Sequence, residues 1–140
     1  MADATREEFY QRLDEAPYAV RGFFETVEAR FGPRNTADVH FTHTNGIDMR
    51  IAVPKELTKK GKLRNFATMY WRGKNRPIHS RIFLTPDELA NLGFPGAKEP
   101  ASSTEPLTAE LQLSEDFWRY KAEDFARYIE AAHIKMLAQC

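Results

Sequence analysis

Between positions 18 and 32 apolar residues return every three or four positions. Val20, Phe23, Phe24, Val27 and Phe31 share one face of a 3.6-residue period, which predicts an amphipathic helix whose aromatic stripe belongs to the core. Upstream, Thr5 and Glu8 have the spacing of a capping box, in which each side chain bonds the other residue's free backbone N–H, so a first helix is expected there. Pro17 lacks an N–H and crowds the preceding turn, and should end or kink that helix. Gly32-Pro33 closes the second.

The period then changes to two. Val39, Phe41 and His43 alternate with polar neighbours, as do Ile47, Met49, Ile51 and Val53, and Asn45-Gly46 between the two runs predicts a hairpin. A two-residue loop would set Thr42 opposite Met49 on the buried face. A loop of Thr44-Asn45-Gly46 pairs His43 with Ile47, Phe41 with Met49 and Val39 with Ile51, which keeps apolar with apolar and is preferred. The other face then carries His40, Thr42, Asp48 and Arg50. A third strand is expected at roughly Leu63–Trp71 and a fourth over Ile78–Leu84, with Ile78, Ile82 and Leu84 inward. Thr85 caps a short helix with Pro86 in its first turn. Residues 93–106 read as a long surface loop, Ala109–Leu113 as a closing strand, and Ser114 as the cap of a long helix lined by Trp118, Ala122, Phe125, Ile129 and Met136.

Helices, an antiparallel meander and a terminal helix, in that order, predict an α+β fold. It would hold an antiparallel sheet of four to five strands, with the N-terminal helices and the long C-terminal helix on one face. With 140 residues, 42% of them hydrophobic, the chain suits a single domain spanning 1–140. No apolar run approaches the ~20 residues needed to cross a bilayer. The acidic first residues do not resemble a leader, and the one cysteine, Cys140, fits a reducing compartment. The expectation is a cytoplasmic protein without membrane contact.

Net charge is zero, but unevenly distributed. Residues 55–81 hold nine basic residues and one acid, Glu56, between acidic flanks. Catalytic chemistry finds little support. No glycines are spaced to cradle a phosphate, no nucleophile elbow occurs, and between Glu56 and Asp87 there is no carboxylate for a two-metal site. His40 and His43 point to opposite faces of a strand, and His43 and His133 read as structural histidines. No catalytic residue, metal ligand or cofactor is therefore assigned.

The basic island remains. Lys59, Lys60, Lys62, Arg64, Arg72, Lys74 and Arg76, with Tyr70 and Trp71 interleaved, have the composition of a surface for nucleic acid or another polyanion, because cations displace counterions and aromatics stack on unpaired bases. Ordinary solvated loops carry such runs too. That reading needs the cations to stay wet and to gather into one patch. An acidic protein partner or self-association would use the same surface. A small anionic ligand or substrate would instead use the polar sheet face at His40, Asp48, Arg50 and Arg81, with Arg64 near it.

Phe24-Glu25-Thr26-Val27 on a helix, then a strand–turn–strand and Leu63-Arg64-Asn65-Phe66-Ala67, resembles an uncharacterised small α+β domain family. That family is loosely labelled "predicted transport protein" and also occurs appended to restriction-type nucleases. The resemblance spans about residues 20–135. It implies an accessory or binding domain and transfers no catalytic residues.

Overall fold

The computed structural model describes residues 3–32, 34–42, 48–73, 76–99 and 109–140. Helix α1 (Arg6–Arg12) starts at the expected capping box, with Glu8 N donating to Thr5 Oγ1 at 3.0 Å and Thr5 N to Glu8 Oε1 at 3.1 Å. A short 3₁₀ turn leads to Pro17, which precedes α2 (Tyr18–Phe31). All five residues of the α2 stripe are buried. Each buried side chain of this size is worth about 1.5–3 kcal/mol, which outweighs the ~1 kcal/mol cost of Gly22 in the helix interior. Gly32 ends α2 in a right-handed conformation (φ −59°), not the left-handed one a terminal glycine usually supplies.

The sheet is an antiparallel meander in chain order: β1 (Asp3–Ala4), β2 (Asp38–Thr42), β3 (Asp48–Val53), β4 (Arg64–Trp71), β5 (Ile78–Ile82) and β6 (Ala109–Leu113). The two-residue β1 was not foreseen; the other five strands were. Strands β2 and β3 pair Phe41 with Met49 and Val39 with Ile51, the register expected from apolar matching. His43 and the Asn45-Gly46 turn lie outside the described residues. A bulge interrupts β3–β4: Ile51 pairs with Ala67 and Ala52 with Asn65, so Phe66 is the extra residue. Phe66 and Ala67 both turn into the core. There the Phe66 ring stacks on His133, with centroids 4.6 Å apart.

Helix α3 (Pro86–Leu92) carries a second capping box, Thr85 with Glu88, and ends at Gly93 in the left-handed region (φ +108°). The long C-terminal helix is divided into α4 (Glu115–Tyr120) and α5 (Ala122–Gln139). At Lys121 the backbone leaves the helical well (φ −124°), yet Lys121 N still bonds Phe117 O and Phe125 N bonds Lys121 O. The break is a kink. It directs Trp118 to one end of the sheet and lays Phe125, Ile129 and Met136 in the core shared with α2. Helices α1, α2 and α5 thus pack on the apolar face, which carries Phe41, Met49, Met69, Ile82 and Leu111. Among the described residues no helix is long and apolar enough to cross a membrane.

Candidate functional site

Strand alternation sends the even-numbered residues of β2 and β3 away from the helices. One cross-strand row there runs His40, Arg50, Thr68, Arg81, Glu110, each opposite the next. A second row contains Thr42 opposite Asp48, and Tyr70, His79 and Gln112. The four residues expected to meet an anionic ligand on this face, His40, Asp48, Arg50 and Arg81, are therefore brought together, with Thr42 beside them. Thr68, Tyr70, His79, Glu110 and Gln112 join them: the face of Thr68 and Tyr70 depends on the unforeseen β4 bulge, and His79, Glu110 and Gln112 meet only through a β5–β6 register that no local signal sets.

The groups form a network. Arg50 Nη2 lies 3.4 Å from Asp48 Oδ2, and Arg81 Nη2 lies 3.4 Å from Glu110 Oε2. His40 Nε2 is 3.0 Å from Asn65 Oδ1, an acceptor that the β4 bulge sets next to β3. Gln112 Nε2 donates to His79 Nδ1 at 2.9 Å, which leaves the proton of a neutral His79 on Nε2, 3.7 Å from Glu110 Oε1. Burial lowers the His79 pKa below its usual value. Glu110 opposes this, and Arg72 and Arg81 reinforce it. Asp48 is only 2% exposed and His79 9%, although both sit on the side away from α1, α2 and α5. Paired charges make this face nearly balanced, suited to a polar ligand held by geometry more than by field.

The basic island is divided. Lys55, Lys59, Lys60 and Lys62 lie on the β3–β4 connection, with Arg64 at the start of β4. Arg72 and Arg76 lie beyond its other end, and Lys74 lies outside the described residues. The eight residues of β4 separate the two groups by about 23 Å at ~3.3 Å per residue. Arg81 belongs to neither, being in mid-β5. One continuous patch from 55 to 81 is thus corrected to two clusters, because a strand holds apart what sequence sets side by side; the single patch that the polyanion reading called for does not form, and any such reading has to stand on the lysine loop by itself.

Both clusters nevertheless stay wet. Lys55, Lys59, Lys60, Lys62, Arg72 and Arg76 are exposed. Among the described residues no carboxylate lies within 4 Å of any of them. Elsewhere cations are paired: Arg6 with Glu28, Arg30 with Glu123 and Glu130, Arg34 with Glu130, Lys135 with Glu88. Those helix carboxylates are thus engaged by arginines and a lysine outside the island, not by the island.

The lysine loop is also ordered by its own chemistry. A 3₁₀ turn, Lys55–Leu57, follows the buried Pro54, and Gly61 takes the left-handed conformation (φ +65°) that reverses the chain. Thr58 Oγ1 accepts from Lys62 N at 3.0 Å and donates to Lys62 O at 2.7 Å. His133, by contrast, is structural: buried, stacked on Phe66, and donating from Nε2 to Thr36 O at 2.8 Å. Comparisons with protein-family models, with curated proteins and with solved structures find no match for the chain.

Proposed function

We propose that the protein is a non-catalytic domain that binds a polyanion, nucleic acid above all, with the lysine loop Lys55–Lys62 as its electrostatic contact. The observation that carries this reading is the contrast in pairing. Most cations on the helices have carboxylate partners, while Lys55, Lys59, Lys60 and Lys62 project from an ordered loop without one among the described residues. An uncompensated cation releases phosphate counterions at full effect, whereas a paired one must first give up its partner. The accessory role implied by the resemblance is consistent with this, and a reducing cytoplasm suits the single cysteine.

The test is titration of labelled single-stranded and duplex oligonucleotides with the wild type and with Lys59→Glu/Lys60→Glu/Lys62→Glu. The three sites are exposed, so the fold should persist. Binding by the wild type and its loss in the variant support the reading; binding unchanged by the variant refutes it. Retention of an acidic protein instead of nucleic acid would assign the loop to protein interaction, and a concentration-dependent change of mass would assign it to self-association.

A second reading, a small anionic ligand on the polar sheet face, is favoured by one observation. His40, Arg50 and Arg81 share one cross-strand row on the side away from α1, α2 and α5 and are each partly exposed there. Arg81→Ala would abolish a ligand-induced rise in Tm on this reading and leave oligonucleotide binding intact.

A further inference from the structure

At the far end of β4 from the lysine loop, a cleft of about 650 Å³ opens between the α1–α2 junction, Arg76-Pro77 ahead of β5, and α4. Its walls include Glu15, Trp71, Arg76, Glu115 and Trp118. A second cleft of about 450 Å³ shares Glu15 and Trp71 and adds Arg12. Both volumes lie within the roughly 300–1,000 Å³ of small-molecule sites. Trp71 is half-buried at the strand end, while Trp118 is nearly covered.

The charges in this space do not cancel. Glu115 is held by Arg119 at 3.0 Å. Arg12 and Arg76 are exposed and have no carboxylate within 4 Å among the described residues, and Glu15 has no cation within that distance. Trp71 and Glu15 are common to the two clefts, with Arg76 in the first and Arg12 in the second, and none of the three charged groups has an opposite charge within 4 Å among the described residues. A ligand that matches indole, guanidinium and carboxylate presents an aromatic ring, an anion, and an N–H donor on the edge of the ring. A nucleotide whose base carries an exocyclic amine has these features: the ring stacks, the phosphate meets a guanidinium, and the amine donates to Glu15.

We propose that this cleft binds such a nucleotide unit, with its base against Trp71, its phosphate toward Arg76, and its exocyclic amine on Glu15, Arg12 lying in the adjoining cleft. The unit is either a free mononucleotide or an unpaired residue of a strand. The strand case rests on the polyanion reading above; the mononucleotide case does not.

The chain has two tryptophans, and both line the cleft, so indole emission reports on it directly. The full-length protein is titrated with AMP, with inorganic phosphate and with an oligodeoxyadenylate. Saturable quenching by AMP but not by phosphate is expected, and Arg76→Glu, at an exposed turn position, should weaken it by roughly tenfold or more. Calorimetry should show binding kept in Trp71→Phe and lost in Trp71→Leu. Quenching by the oligonucleotide alone assigns the cleft to a strand; quenching by AMP as well extends it to the free nucleotide. Quenching by neither, or AMP binding indifferent to Arg76→Glu and Trp71→Leu, overturns the proposal. The Lys59→Glu/Lys60→Glu/Lys62→Glu variant separates the two claims, since it should lose the oligonucleotide and keep AMP. Undiminished oligonucleotide binding there defeats the lysine-loop reading and leaves the cleft standing.

Discussion

Thr58 Oγ1 and the backbone of Lys62 are joined twice, by the Lys62 N–H at 3.0 Å and the Lys62 carbonyl oxygen at 2.7 Å. One hydroxyl therefore closes the loop that presents the lysines. Thr58→Val keeps the shape and removes both bonds, at a cost of about 1 kcal/mol in an exposed loop. The Lys62 amide should exchange faster with solvent deuterium, while amides in β4 keep their protection. Oligonucleotide affinity should fall by a few fold, because more freedom is lost on binding. An unchanged Lys62 exchange rate would show that the loop is held by something else.

Gly22 occupies the interior of α2, and a Cβ added there meets nothing within 4 Å. Gly22→Ala should therefore stabilise the protein by roughly 0.5–1 kcal/mol, through helix propensity and a less flexible unfolded chain. Urea denaturation measures it, and the midpoint should rise with the slope unchanged.

His133 donates from Nε2 to the Thr36 carbonyl, an acceptor only, so the proton sits on that nitrogen. His133→Phe preserves the stack on Phe66 and removes the donor. The expected loss is about 1–2 kcal/mol, less than the ~3–5 kcal/mol of Phe66→Ala, which empties the bulge position in the core. Equal losses in the two variants would contradict this ranking.

Stability should also depend on pH through His79. Its folded pKa is lowered by burial, with Arg72 and Arg81 adding to the effect and Glu110 opposing it. The unfolded chain therefore takes up the proton first, near the ordinary value of 6.5, and the folded chain only at lower pH. Its contribution is complete above about pH 6.5 and declines as pH falls below it. Glu88 behaves likewise in a lower window. Burial raises its pKa, but Lys135 and Thr85 more than offset this, so its contribution is lost as pH falls below the carboxylate range. Denaturation curves at about pH 7.5 and pH 5.5 should differ in the wild type and differ less in His79→Gln. A wild-type stability that rises on acidification would reverse the sign and refute the assignment.

Local pattern made much of this fold legible, and distance concealed the rest. The β2–β3 register could be read because period-two alternation over Val39–Val53 tolerates only one apolar matching. For the same reason His40, Asp48 and Arg50 were assignable to one face. The bulge at Phe66 was not, since a run as apolar as Phe66-Ala67 fits either face and only the stack with His133 decides it. His79 and Glu110 meet through a β5–β6 pairing whose partners are about 30 residues apart, and no local rule sets that register. The basic island failed as a single patch for a related reason. Lys62 and Arg72 are near in sequence, but an extended strand occupies the interval and carries them to opposite ends of the sheet.

If the lysine loop is the electrostatic contact, it sets how steeply oligonucleotide affinity falls with salt. Each phosphate neutralised adds close to one unit to the slope of log affinity against log salt. The slope for the wild type should exceed that for Lys59→Gln/Lys60→Gln/Lys62→Gln, which removes three phosphate contacts without reversing their charge, by about three units. Equal slopes for the two proteins would contradict this role of the loop.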